Sequence, residues 1–410
     1  MVSWRAREII ARKRDGLALK AEDIEWIVQG YLTGEVGEAE MSAFLMAVFI
    51  RGMNRDETYH LTMAMARSGE MLDLSQIEGI KVDKHSTGGV GDKVTLVFAP
   101  LVASAGLVVS KLSGRALGHT GGTVDKLEAI PGFRVSLSRE EFISQLKKVG
   151  VAVSSQTEEL APADKVIYSL RNRIACVESI PLIVSSIMSK KIAGGADVIV
   201  IDVKSGKGAF MSGERARELA EELVAVGEMA GKRVSAEITP MDQPLGYAIG
   251  RVLEVKEAIN LLKGEGPADL EDVCLSLAGL AFWKAGICET KEEGRRKAKK
   301  LLECGKALEK FAQWMEAQGA NPRIVDDFSL LPSAECQPLI SKKEGILKDI
   351  DCKKLGEVSH ILDVHPAGGI VLRKKLGDRV EKGEEIAMVY GEKEKLAQAL
   401  ENIESVFFVE

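Results

Sequence analysis

From Val2 to about Met71, apolar positions recur at helical spacing and no strand-like alternation interrupts them. Ala6, Ile9 and Ile10 share one face, Ala21–Val28 opens a second segment, and Met41–Ile50 is apolar nearly all round, as a buried helix is. Thr58–Ala66 adds another, closed by Ser68 and Gly69. The pattern predicts an all-helical unit over 1–70. At Ile80 the period changes. Short apolar strands at 80–85, 107–112, 197–203 and 233–238 alternate with helices at about 95–105 and 212–231. Buried strands alternating with helices predict a mainly parallel sheet covered on both faces, an α/β domain over 78–158 and 194–332. The intervening Pro162–Ala193 reads as a helical pair. It is expected to pack back on the first helices, so that 160–193 completes a discontinuous helical domain facing the α/β domain across a cleft. Residues 258–317 are helical, with Val273–Trp283 as their buried part. After Pro332, alternation at 358–362, 369–372 and 386–390 predicts a small C-terminal α+β domain over 333–410, a β-rich, barrel-sandwich-like cap.

Composition narrows the class. With 46% hydrophobic and 28% charged residues the chain is an ordinary globular protein, and 410 residues exceed one core. A net charge of −6 argues against a nucleic-acid surface, and the basic run 291–300 reads as a solvated helix face. No run is long and apolar enough to span a membrane, and the first twenty residues lack the apolar core of a signal peptide. Six cysteines without CxxC spacing read as buried free thiols in a reducing compartment, so a cytoplasmic location is expected. The turn 377–386 resembles that of a biotinyl or lipoyl carrier, but no Met-Lys-Met hairpin accompanies it.

The candidate chemistry sits in glycine-rich turns that follow three of the strands, at 86–92, 113–123 and 204–210. Lys84, Lys111, Arg115 and Lys126 flank the first two, and Ser86, Thr87, Thr95, Ser113, Thr120 and Thr123 crowd them. Freed backbone N–H groups, hydroxyls and fixed cations are what a phosphate requires. One hydroxyl in a turn more often caps it, whereas this many in two adjacent turns point to an anion. In a parallel sheet such turns meet beyond the carboxyl ends of the strands. Ser186 and Lys190, four apart, share a helix face, with Arg171 on the preceding helix. No GxxxxGK[ST] is present, which excludes a Walker-type site.

KHSTGGVGD followed by SGRALGHTGGTVDKLEAIPGF closely resembles the thymidine/pyrimidine-nucleoside phosphorylase family. The likeness continues through SQTEELAPADK, Ser179–Lys191 and MDQPLGYAIGRVLEVKEAI. It implies a helical domain hinged against an α/β domain in a homodimer, and no organic cofactor. The implied reaction is reversible phosphorolysis of pyrimidine nucleosides (thymidine, uridine, deoxyuridine) by inorganic phosphate, giving free base and (deoxy)ribose 1-phosphate. The resemblance assigns phosphate to Lys84, Ser86, Thr95, Lys111, Ser113 and Thr123. It assigns the base to His85, Arg171, Ser186 and Lys190, with Leu117, Val177, Ile183, Ile187 and Phe210 lining its pocket. His85, Arg171 and Lys190 would act in catalysis by stabilising the leaving base. Alone, His85 reads equally well as a strand-end histidine satisfied by the backbone, His119 as structural, and the pocket apolars as core. Two rivals remain. An anthranilate-type phosphoribosyltransferase would share the architecture but want acidic residues after its second turn. A non-catalytic phosphate- or nucleotide-binding module would not need the facing Arg171, Ser186 and Lys190.

The resemblance also implies a potassium site near Gly91, Lys93, Leu245, Ala248 and Glu257. Lys93, where some relatives have threonine, leaves two arrangements open. If only its carbonyl is used, the cation site survives; if its ammonium turns inward, it replaces the ion and pairs with Glu257. Lys207 is an extra basic residue in the third turn, expected to face solvent. Nothing in the sequence excludes a 2′-hydroxyl, so broad pyrimidine use is expected.

Overall fold

In this computed structural model the described residues are 4–114, 121–156 and 159–410. Helices α1 (Trp4–Arg14), α2 (Ala21–Thr33), α3 (Glu38–Arg51) and α4 (Arg55–Ala66) form the N-terminal unit. A reciprocal cap starts α4: the Asn54 side chain accepts the Glu57 N–H, and the Glu57 carboxylate accepts the Asn54 N–H, each at 2.9 Å. Buried Glu57 also takes the Lys13 ammonium at 2.7 Å, which ties α1 to α4.

The next stretch is β1 (Lys81–Ser86), α5 (Val94–Ala103), β2 (Val108–Ser113), α6 (Thr123–Glu128), α7 (Arg139–Val149) and β3 (Val151–Ser155). Helices α8 (Pro162–Arg173) and α9 (Ile180–Ala193) follow, then β4 (Val198–Ser205), α10 (Gly213–Met229) and β5 (Arg233–Pro240). These strands make one parallel sheet in the order β3-β2-β1-β4-β5. From β1 the chain runs outward to β3 and then returns to the other side of β1, so the strand order reverses between β1 and β4. That is the switch point where such sheets bind ligands. Side chains alternate across the sheet. Val82, Val109, Val198 and Val200 face α5 and the later helices, and Ile199, Ile201 and Val203 face α9 and α10. β3 is an element that the sequence reading left out.

The first half of the helical pair behaves as expected. Ala163, Ile167, Leu170 and Leu182 pack into the N-terminal helical core. The rest of α9 differs, because Ile183, Val184, Ile187 and Met188 bury against β4 and α10. A helix apolar on nearly every side has two faces to bury, and α9 is shared between the domains.

A short β6 (Ala248–Ile249) precedes α11 (Arg251–Leu262), α12 (Ala268–Lys284), α13 (Lys291–Glu303) and α14 (Lys306–Ala317). The C-terminal part holds β7 (Glu335–Ile340), β8 (Gly345–Ile350), α15 (Cys352–Leu362), β9 (Gly369–Leu372), β10 (Arg379–Val380), β11 (Glu385–Gly391), α16 (Lys393–Ile403) and β12 (Phe407–Val409). Its sheets, β6-β9-β11-β7 and β10-β8-β12, are antiparallel. The expected strand at Val358–Leu362 is instead the end of α15. Cys352, Leu355, Val358 and Leu362 form one buried helical face, and the Asp351 side chain caps the helix by accepting the Lys354 N–H. The cysteines also need a correction: Cys304 and Cys336 are exposed, one ending α13 and one on edge strand β7, while the other four are buried.

Candidate active site

Period-two alternation on β1 splits its polar residues between the two sheet faces. Lys84 follows Val82 onto the α5 face, and Asp83 and His85 take the other. Lys84 is buried, with its Nζ 3.2 Å from Asp202 Oδ2 and 3.8 Å from Asp92 Oδ1. Burial works against its charge, but Asp92 and Asp202 more than offset it and raise the pKa. Lys204, also buried, lies 2.8 Å from Asp202 Oδ2 and donates to Thr239 Oγ1 at 3.0 Å. Burial alone would raise the Asp92 carboxyl; Lys84, Lys204 and Lys126 overcome it and hold the group far below the usual carboxylate range. Lys126 donates to the carbonyls of Gly121 (2.7 Å) and Asp92 (2.9 Å) and pairs with Glu254 at 3.1 Å. The Lys126 ammonium thus pins the first two turns to each other.

Lys111, near the end of β2, donates to the Lys84 carbonyl at 2.5 Å and lies 3.8 Å from Asp83. Desolvation first, and then the neighbouring Lys191, lower its pKa to about 7. Of the expected phosphate lysines, it is the one whose charge is least compensated. Ser86 Oγ accepts the Gly88 N–H at 3.2 Å, Ser113 ends β2, Thr95 is buried in the first turn of α5, and Thr123 opens α6. The six expected phosphate residues therefore come from adjoining strand ends and the helices that follow them.

His85 is half-buried, and burial followed by Lys191, Lys111, Lys190 and Lys84 holds its pKa well below the ordinary histidine value. At neutral pH its ring is uncharged and offers one N–H donor and one acceptor. Lys190 pairs with Asp164 of α8 and donates to Ser186 Oγ at 3.0 Å. The other oxygen of Asp164, Oδ1, is buried with no hydrogen-bond partner among the described residues. Arg171 is buried, and its guanidinium donates to the carbonyls of Cys176 (3.1 Å), Leu182 (2.9 Å) and Val177 (2.6 Å). It shapes the α8–α9 connection, with Tyr168 stacked 5.5 Å from it. Ile183 and Ile187 are core residues, Val177 is half-buried and Phe210 is exposed. Leu117, along with Arg115, His119 and Thr120, lies outside the described residues. Lys207 is largely exposed and pairs with Asp349 of the C-terminal part at 2.9 Å.

Sequence reasoning missed the counter-charges Asp83, Asp92, Asp164, Asp202 and Glu254, and the lysines Lys191 and Lys204. Asp202 and Lys204 carried a signal: two charged residues in an otherwise apolar strand, spaced by two, must share a buried face.

Chemically the arrangement gathers the ammoniums of Lys84, Lys111, Lys190 and Lys191 within electrostatic reach of His85, at the end of β1 beside the switch point. Such a site suits an anion next to a neutral, hydrogen-bonding group.

Comparison with known proteins covers nearly the whole chain. Residues 7–69 match the glycosyl transferase family helical bundle domain and residues 78–308 the glycosyl transferase family a/b domain. Residues 346–408 match the pyrimidine nucleoside phosphorylase C-terminal domain. The pyrimidine-nucleoside phosphorylase of Geobacillus stearothermophilus is 50% identical over 95% of this chain and 92% of its own length. That of Bacillus subtilis is 49% identical over 97% and 94%. Among solved structures, anthranilate phosphoribosyltransferase from Thermus thermophilus superposes with a TM-score of 0.61 at 20% identity. That likeness spans 76% of this chain and 99% of the other, and speaks for the fold alone. With half its residues identical to such relatives over nearly its full length, the chain belongs to the pyrimidine-nucleoside phosphorylase family.

Proposed function

We propose that the protein catalyses reversible phosphorolysis of pyrimidine nucleosides, including uridine, thymidine and deoxyuridine, with inorganic phosphate as co-substrate. What supports this reading is that Lys84, Lys111 and the α9 residue Lys190 all act on His85 at the end of β1, beside the switch point, in a chain of this family. Phosphate sits among Lys84, Ser86, Thr95, Lys111, Ser113 and Thr123, losing water to fixed donors. One of its oxygens bonds to the anomeric carbon as the bond to the base nitrogen breaks, and the base leaves with the electron pair. Negative charge then grows on the pyrimidine ring, where Lys190, Arg171, Ser186 and the neutral His85 donate hydrogen bonds that strengthen in the transition state. Three of the five Arg171 guanidinium N–H groups go to the backbone carbonyls of Cys176, Leu182 and Val177, and its part in this step falls to the other two.

Broad pyrimidine use is part of the proposal, since rejecting one ring methyl is worth only about 1–3 kcal/mol. A homodimer is proposed as well, supported by exposed Trp4, Phe49 and Ile50 on the N-terminal helices and Leu17 in the α1–α2 connection. A cytoplasmic location fits the family and six free cysteines; no helix among the described residues is long and apolar enough to cross a membrane. The deciding assay mixes each nucleoside with and without phosphate and follows free base. Base release that needs phosphate supports the reading, and its absence from all three nucleosides sinks it.

A further inference from the structure

The turn at 89–93 approaches the loop 244–248 more closely than side chains would allow. A Cβ on Gly91 (φ +78°) would meet the Leu245 carbonyl oxygen at 2.7 Å, and one on Gly246 (φ +69°) would meet Glu257 Oε2 at 2.3 Å. Lys93, 1% exposed, fills the space between. Its Nζ donates to the carbonyls of Leu245 at 2.9 Å and Ala248 at 2.7 Å, and to Glu257 Oε2 at 2.5 Å. An ammonium has three protons, and all three are used here. Glu257 is held in turn by the N–H groups of Tyr247 at 2.9 Å and Ala248 at 3.1 Å.

Two carbonyl oxygens and a carboxylate gathered around one positive charge are the surroundings that a weakly hydrated monovalent cation takes when protein oxygens replace its water. Here that charge is already present and covalently attached. The potassium site implied by the sequence does not fit this chain, because its oxygens are engaged by Nζ and a second cation would be repelled by it. Lys375, from the C-terminal part, grips the other side of the same loop. Its Nζ donates to Pro244 O at 2.5 Å and Gly246 O at 2.7 Å, and lies 3.0 Å from Asp269 Oδ2. Two ammoniums thus take the carbonyls of Pro244, Leu245, Gly246 and Ala248.

We propose that Lys93 is a resident replacement for a structural monovalent cation, bracing the anion-binding turn against the 244–248 loop without a bound ion. The structural part stands on the geometry above. Its kinetic corollary, turnover that needs no potassium, rests on the proposed phosphorolysis.

The test compares thermal unfolding in potassium chloride and in choline chloride at equal ionic strength, for the native chain and for Lys93→Thr, which keeps the backbone carbonyl. The native chain is expected to melt at the same temperature in both salts and to show no saturable heat when titrated with potassium. Lys93→Thr is expected to melt lower in choline and to regain at least about 2 °C in potassium. A potassium-specific rise or a saturable binding heat in the native chain overturns the proposal. So does a Lys93→Thr variant that melts alike in both salts. If Lys93→Thr does not fold in either salt, the native chain's melts and titration decide. These readouts need no substrate, so failure of the phosphorolysis assay and failure of this proposal remain distinct.

Discussion

Lys191 on α9 reaches Asp83 on β1, 108 positions earlier in the chain, with Nζ 2.7 Å from Oδ2 and both side chains buried. It also donates to the Leu112 carbonyl at 3.2 Å, so one ammonium fastens α9 to two strands of the sheet. Its neighbour Lys190 turns to Asp164 and Ser186 instead.

Removing one partner of a buried pair leaves the other charge uncompensated, at a cost of roughly 3–5 kcal/mol. Lys191→Met is expected to lose about that much in a denaturant titration. After burial itself, Lys191 is the charge that most depresses the His85 pKa, so the same variant should raise that pKa. An imidazole titration by NMR that matches the native chain would contradict the arrangement.

In the proposed mechanism Lys190→Ala removes a donor aimed at developing charge, a loss worth about 10²–10³-fold in kcat. Circular dichroism should report a retained fold. Asp164→Asn keeps the shape but frees the ammonium, and should weaken nucleoside KM more than kcat. Near-native turnover in Lys190→Ala would remove that residue from the proposed base clamp.

With Lys111 in the proposed phosphate site, its pKa of about 7 makes anion binding there depend on pH. Bound anion favours the charged ammonium, so binding takes up a proton wherever free Lys111 is neutral, that is, above about pH 7. Sulfate, which does not titrate near neutrality, should bind progressively more weakly as the pH rises through that value. Calorimetry in buffers of different ionisation heat should show uptake approaching one proton. Affinity that is flat with pH would mean that Lys111 keeps its charge when the site is empty.

Ile50 is 69% exposed on the helical domain, so Ile50→Asp should leave the subunit fold unchanged. If the proposed homodimer forms through this face, the variant is expected to sediment at half the mass of the native protein. A variant that stays dimeric would put the interface elsewhere.

Much of the fold was legible because its signals are local. Apolar strands at 80–85 and 197–203 ended in glycine turns, and the structure places β1 and β4 there with the switch point between them. β3 escaped because Val-Ala-Val-Ser-Ser is short and follows a charged helix directly through Gly150. Val358–Leu362 was misread because five residues do not separate the periods; extending the window back to Cys352 gives the three-and-four spacing of a helix. The counter-charges were hidden for a different reason. Asp164 and Lys190 are 26 positions apart, and Asp83 and Lys191 are 108 apart, so nothing nearby in the chain marks them as partners.

Strand β6, only Ala248–Ile249, belongs by sequence to the α/β part, yet it pairs with β9 and lies at one edge of the C-terminal sheet. It follows the loop held by Lys93 and Lys375. A truncation at residue 332 would therefore cut through a shared sheet as well as removing an appendage, and would strip Lys375 from the 244–248 loop. Shortened forms and hybrids joined at that boundary should lose melting temperature together with anion affinity. The boundary is a seam in the sequence, but mechanically it is a splice.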